Sequence, residues 1–174
     1  IEVGDIDVRD ASVDAIAARH AHACARLSSG TVACWGSDQA AQLAPGAQPD
    51  ANGPVPPIAF EAPVRVVSAG TRHTCVLLES GAVKCWGDNA KGQLGLAGVD
   101  TTKGKGFTAM SLPAVDLGGA RALMLATGDE HTCVVLEGHT VKCWGNNTSG
   151  QLGIGEESTN TAGRKPGDLP RAAL

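Results

Sequence analysis

The sequence has no tyrosine, and only two phenylalanines and three tryptophans among its 174 residues. No run of about 18 apolar residues occurs, so no segment reads as a transmembrane helix. Lysine and arginine never cluster beyond Lys103-Gly104-Lys105, and the formal net charge is −4. A nucleic-acid partner is therefore not expected, because phosphate contacts need a basic patch. The chain starts at Ile1 rather than at a methionine, and no signal-peptide pattern follows. It reads as a processed or excised piece of something longer. There is no Ser/His/Asp set, no glycine-rich phosphate loop and no H-E-x-x-H, so neither catalysis nor a cofactor is expected.

What the chain does contain is glycine, proline and a repeat. With 23 glycines and 9 prolines, short strands separated by turns suit the composition better than long helices. Gly70 to Gly95 reads G-T-R-H-T-C-V-L-L-E-S-G-A-V-K-C-W-G-D-N-A-K-G-Q-L-G. Gly128 to Gly153 and Arg19 to Ala44 align to it without a gap. Self-similarity of this size indicates a solenoid, a propeller or an array. The first copy is worn: Arg19 replaces the first glycine, Ala41 and Ala44 replace later ones, and Gln39 is read against the asparagine.

Each copy also has an upstream strand. Val64 to Ala69 is rich in β-branched residues. Val13 to Ala18 is alanine-rich and helix-prone, but its place in the repeat makes it a strand. A hairpin follows. If Cys75 faces Cys85, then Leu78 faces Ala82 and Glu79-Ser80-Gly81 is a three-residue loop, whose last residue is left-handed, as glycine allows. Gly30 fills this place in the first copy and His139, after Gly138, in the third, where a different turn type is expected. The same register sets Cys24 opposite Cys34 and Cys133 opposite Cys143, within reach of a disulfide. Six cysteines at fixed spacing point to an oxidising compartment: secreted, periplasmic or cell-surface. A short fourth strand is expected around Gln42-Leu43, Gln93-Leu94 and Gln151-Leu152. The fold class is thus all-β, with four-stranded antiparallel sheets that cannot bury both faces alone and so must stack.

The pattern G-x-x-H-T-C-x-x-L-x-x-G-x-V-x-C-W-G-x-N-x-x-G-Q-L-G resembles the RCC1-like repeat, and the paired cysteines resemble those of bacterial, secreted members. The resemblance implies blades of a seven-bladed β-propeller. Three repeats span 6–56, 57–114 and 115–167, and 168–174 is the stub of a next one. Three blades are under half a ring, so the implied object is a partial or open propeller. Its exposed ends would associate with copies of the chain or with a missing remainder. The family has no single function. It includes a chromatin exchange factor, a plant ultraviolet-light receptor and a secreted β-lactamase inhibitor, and its common thread is protein binding. The light receptor carries G-W-R-H-T, whereas Thr71 and Asp129 stand at that tryptophan position here.

The repeat explains most residues that would otherwise suggest chemistry. His22, His73 and His131 form His-x-Cys-x9-Cys sets that could bind zinc. Opposed cysteines at disulfide distance make that reading the weaker one, and no metal is expected. The histidines are instead expected to hydrogen-bond backbone within their own blade. Trp35, Trp86 and Trp144 read as core. Asp88-Asn89 and Asn146-Asn147 read as turns rather than calcium ligands.

The connections 44–63, 96–113 and 154–166 vary while the scaffold does not, and binding concentrates in such loops. Phe107, Phe60 and Met110 are their candidate apolar anchors for an unknown protein partner, and Lys103, Lys105 and Arg164 the charged ones. Phe60 and Met110 could equally pack beneath their own loops. The functional expectation is a non-catalytic protein-binding module. The alternatives are an assembly protein joined through open blade edges and a secreted enzyme inhibitor.

Overall fold

Valines at 64, 66 and 67 and at 83 favour extended backbone, and each repeat lays down three antiparallel strands in chain order. The computed structural model describes residues 12–44, 56–96, 110–155, 161 and 166–172. The first sheet contains β1 (Val13–Arg19), β2 (His22–Leu27) and β3 (Val32–Gly36). The second contains β4 (Val64–Ala69), β5 (His73–Leu78) and β6 (Val83–Gly87). The third contains β7 (Ala122–Thr127), β8 (His131–Leu136) and β9 (Thr140–Gly145), and a 3-10 turn follows at Pro166–Asp168. Alanine-rich β1 is a strand because six of its residues pair with β2; tertiary pairing overrides its helical propensity.

Register places Cys24 opposite Cys34, Cys75 opposite Cys85 and Cys133 opposite Cys143. All three pairs are disulfides, with Cα separations of 4.0, 4.1 and 4.1 Å. The hairpin loops of the first two sheets close through Gly30 at φ 78° and Gly81 at φ 84°. In the third sheet Leu136 still faces Thr140, and His139 adopts φ 59° behind Gly138 at φ 86°. The loop keeps its three-residue length by holding a histidine in the left-handed region.

The expected fourth strand does not form. Gln42-Leu43, Gln93-Leu94 and Gln151-Leu152 lie in turns, and each sheet has three strands. The turn is built by side chains: Asp38, Asn89 and Asn147 accept the backbone N–H of Leu43, Leu94 and Leu152 at 2.8, 3.1 and 3.0 Å. Asp38 rather than Gln39 therefore stands in the asparagine's place. The glutamine side chains accept from Ala40, Lys91 and Ser149 two residues back. A backbone bent to satisfy both acceptors is not free to pair with β3, β6 or β9. Those edges are met from further along the chain instead. Ile58, Val115 and Ala172 donate their N–H groups to the carbonyls of Val32, Val83 and Val141 at 2.7, 2.8 and 3.0 Å.

The glycine after each tryptophan is required by close approach. Gly87 has φ 109°, and a Cβ there would lie 2.5 Å from the Arg72 carbonyl oxygen. Gly36 and Gly145 meet Ala21 and Glu130 in the same way, at 2.4 Å each. Neighbouring sheets pack as blades: β4 lies on β1 and β2, and β7 lies on β4 and β5. One apolar cluster threads all three, from Cys24 through Val67, Cys75 and Leu125 to Trp144.

Candidate functional site

The Trp-Gly and His-Thr-Cys motifs meet between blades rather than within them. Trp86 and Trp144 are 2% and 0% exposed, and their indole N–H groups donate to the carbonyls of Gln42 and Gln93 in the preceding blade at 2.9 and 3.0 Å. The hydroxyls of Thr74 and Thr132 donate to the same two carbonyls at 2.8 and 2.9 Å. Each threonine oxygen is also 3.0 or 3.1 Å from the Nε2 of the preceding blade's histidine, His22 or His73. Because the hydroxyl proton is committed to a carbonyl, the histidine must be the donor. Its tautomer is therefore Nε2–H, and Nδ1 is left bare. The Nδ1 atoms of His22 and His73 are buried without a partner. His73 Nδ1 is held against Gly70, where a Cβ would lie 2.3 Å from it.

His22 and His73 thus bond to the next blade's threonine, which corrects for these two the expectation of a backbone contact within their own blade. The His-x-Cys-x9-Cys zinc set lacks its thiolates, since the sulfurs are joined in pairs. Burial drives His73 down to about 3, with the neighbouring His22 and His131 adding to the fall. His22 is lowered by burial and then by His20. His131 is lowered by burial, partly opposed by Asp129.

Thr132→Val keeps the shape and removes the hydroxyl. It strands His73 Nε2–H and takes one donor from Gln93. The expected loss is about 1–3 kcal/mol in chemical denaturation. An unchanged midpoint would show that the relay contributes nothing to blade docking.

A second cluster joins the end of β1 to the turns before β5 and β8. Asp129 accepts from Arg19 Nε at 2.9 Å and Nη2 at 2.7 Å, and from the Thr71 hydroxyl at 2.8 Å. One residue from each blade thus contributes to a single exposed cluster. The hydrogen bonds from Thr71 and Arg19 hold the Asp129 carboxyl below its usual range. The cluster is solvent-screened and adds little stability. Two buried lysines are likewise tied: Lys84 pairs with Glu61 at 2.7 Å, and Lys142 donates to the carbonyls of Pro166 and Gly167.

Of the candidate anchors, Phe107, Lys103, Lys105 and Arg164 lie outside the described residues. Met110 is exposed at 62%. Phe60 is turned inward, 9% exposed, with its ring centroid 5.9 Å from that of Trp86. Its ring packs toward Trp86 of the second blade. Reasoning from sequence missed Thr74, Thr132 and the glutamine carbonyls. The available signal was a threonine after the histidine in the second and third copies, Thr74 and Thr132, where the first copy has Ala23.

Stacked antiparallel sheets joined by a repeated buried relay define a β-propeller-type repeat protein. Residues 64–93 and 125–151 match the Regulator of chromosome condensation (RCC1) repeat, so the second and third repeats are of that type. The ultraviolet-B receptor UVR8 of Arabidopsis thaliana is 33% identical over 152 residues, 86% of this chain and 33% of the receptor. The mitochondrial RCC1 domain-containing protein RUG3 of the same plant is 31% identical over 154 residues, 84% of this chain and 33% of that protein. The chain thus spans about a third of these relatives' length. Among solved structures, yeast RCC1 (Prp20) bound to Kap60 superposes with a TM-score of 0.73 at 22% identity, covering 95% of this chain and 36% of that one. Human WBSCR16 superposes at 0.75 with 20% identity, covering 98% and 42%. At these identities the likeness concerns the fold.

Proposed function

We infer that the chain is a non-catalytic protein-binding module whose working surface is the set of connections 44–63, 96–113 and 154–166. One observation carries this reading. Each connection leaves its blade after the same Gln-Leu turn and is pinned again at the same strand edge, through Ile58, Val115 and Ala172. Three segments of unrelated sequence are therefore held at equivalent points of a constant scaffold, an arrangement that suits recognition. Met110, exposed where the second connection re-enters the described structure, supplies apolar contact area. Repeats at 6–56, 57–114 and 115–167, with a stub at 168–174, fit this division of labour. Inhibition of an enzyme is one form such binding could take. The three disulfides support an oxidising setting, whether secreted, periplasmic or at the surface of a bacterial cell.

The test is capture of a partner by the full chain, compared with the variants Phe107→Ala and Met110→Ser. The expected outcome is binding weakened by more than about 1 kcal/mol at an unchanged melting temperature. A partner held equally by both variants would move the surface elsewhere, and a lowered melting temperature would return these residues to the core.

A second reading, assembly through blade edges, is favoured by one separate observation. Val13 and Ile16 are 49% and 66% exposed, whereas their counterparts Val64, Val67, Ala122 and Leu125 are 1%, 8%, 1% and 9% exposed beneath the preceding blade.

A further inference from the structure

The second and third blades carry a buried lysine at the same place in their third strands. Lys84 stands opposite Val76 and Lys142 opposite Val134, and the two are 3% and 9% exposed. Their partners differ. The Lys84 ammonium meets the Glu61 carboxylate at 2.7 Å. The Lys142 ammonium donates to the carbonyls of Pro166 and Gly167, at 3.0 and 2.7 Å. Among the described residues no carboxylate pairs with it.

The difference lies in the segment that enters each blade. Glu79 and Glu137 donate their N–H groups to the carbonyls of Pro63 and Arg121, both at 2.9 Å, so these two acceptors correspond. Two residues earlier, Glu61 corresponds to Gly119. A Cβ at Gly119 would meet nothing within 4 Å. The third blade thus keeps the lysine, lacks the acid and has open space where the acid would stand.

Lys142 lines a cleft of about 350 Å³, to which Gly118 and Ala120 on either side of Gly119 also contribute. Leu136 and Leu169 give it apolar walls and Arg171 a second cation. Glu137 lines it too, but its carboxylate is matched by Arg121 at 3.7 Å. The size suits a small ligand. An ammonium withdrawn from water and left with two carbonyls retains part of its desolvation cost, which a carboxylate would offset.

We propose that this cleft binds a carboxylate on a short aliphatic stem, the group that Glu61 supplies to Lys84 inside the second blade. The chemistry is the same for a free carboxylic acid and for an acidic side chain of a partner. The lining residues fall outside the connections assigned to partner binding, so either reading can fail without the other.

Propionate reproduces the end of a glutamate side chain, and propionamide is its uncharged match. NMR titration of the full, oxidised chain follows the Hε resonances of Lys142 and Lys84. Propionate should shift Lys142 saturably and leave Lys84, whose place is filled, unmoved; propionamide should shift neither. Acetyl-Phe-Glu-Ala-amide, which copies Phe60 to Ala62, separates the two sources. Binding about tenfold or more tighter than propionate makes a partner's acidic side chain the ligand, and equal binding makes it a free acid. Gly119→Glu should weaken propionate binding about tenfold more than Gly119→Gln, which carries the same backbone strain. No saturable shift at Lys142, an equal shift with propionamide, or an equal effect of the two Gly119 variants would overturn the proposal. So would a response that appears only after Glu156→Gln and Glu157→Gln, which would make the chain's own carboxylate the occupant.

Discussion

Replacing Cys75 and Cys85 together with alanine is expected to cost more stability than the same change at Cys133 and Cys143. Each bond closes a loop of sequence separation 10. The loop-entropy contribution is therefore the same for all three, about 2–3 kcal/mol. Any difference between the double variants reports packing. Cys75 and Cys85 are both 0% exposed, sealed between the second blade and the third. Cys143 is 4% exposed, and Cys133 is half-buried. Removing the central pair thus adds a cavity in the core to the lost constraint. Removing all three should cost about 6–9 kcal/mol on the entropic account alone. A whole domain's stability is of that order, about 5–15 kcal/mol, so the fully reduced chain should be unfolded or nearly so. Urea midpoints of the double variants, and of the oxidised protein with and without reductant, measure this. Equal midpoints with and without reductant would show that the bonds do not hold the blades.

The hairpins were legible because they are local. Once Cys75 is set against Cys85, a period of two fixes every residue between them, and Gly81 selects the loop. The expected fourth strand is absent because the chain at each Gln-Leu pair is bent by side-chain acceptors. The asparagine five residues before Leu94, whose side chain accepts the leucine N–H, marks a bent segment. The histidine–threonine–carbonyl relay was out of reach for a different reason. Its members sit in adjacent blades, with His73 and Thr132 59 residues apart. A single repeat contains both halves of the contact, but not their partners. Only stacking shows that the threonine of one copy answers the histidine of another. The Arg19–Asp129 cluster is similar: it depends on one residue from each of three blades meeting, and the glycine that Arg19 replaces gives no hint of a charge partner 110 residues away.

Acidification from pH 7 to pH 5 is expected to destabilise the protein through its histidines. His73 has its pKa depressed by burial to about 3, against about 6.5 in an unfolded chain. As pH falls through 6.5 the unfolded state takes up a proton that the folded state refuses. Stability is thus fully present above 6.5 and is lost progressively down to the folded pKa. For His73 alone the loss between pH 7 and pH 5 is about 2 kcal/mol. His22 and His131, also lowered, act in the same direction. The lowered carboxyls of Glu61 and Asp129 act only as pH falls toward their unfolded values of 4.5 and 3.8 and below; the raised Asp38 acts with the opposite sign, stabilising on acidification, so the fall itself belongs to the histidines. The physical cause is the relay itself. Protonated His73 would carry a second N–H on Nδ1, aimed at Gly70 with nothing to accept it. His73→Leu should start less stable, because Thr132 loses its donor. It should also show a shallower fall between pH 7 and pH 5, by roughly the share of His73. Urea midpoints at half-unit steps in both proteins separate the two effects. A wild-type midpoint that stays level across this range would mean that His73 is not held neutral between the blades.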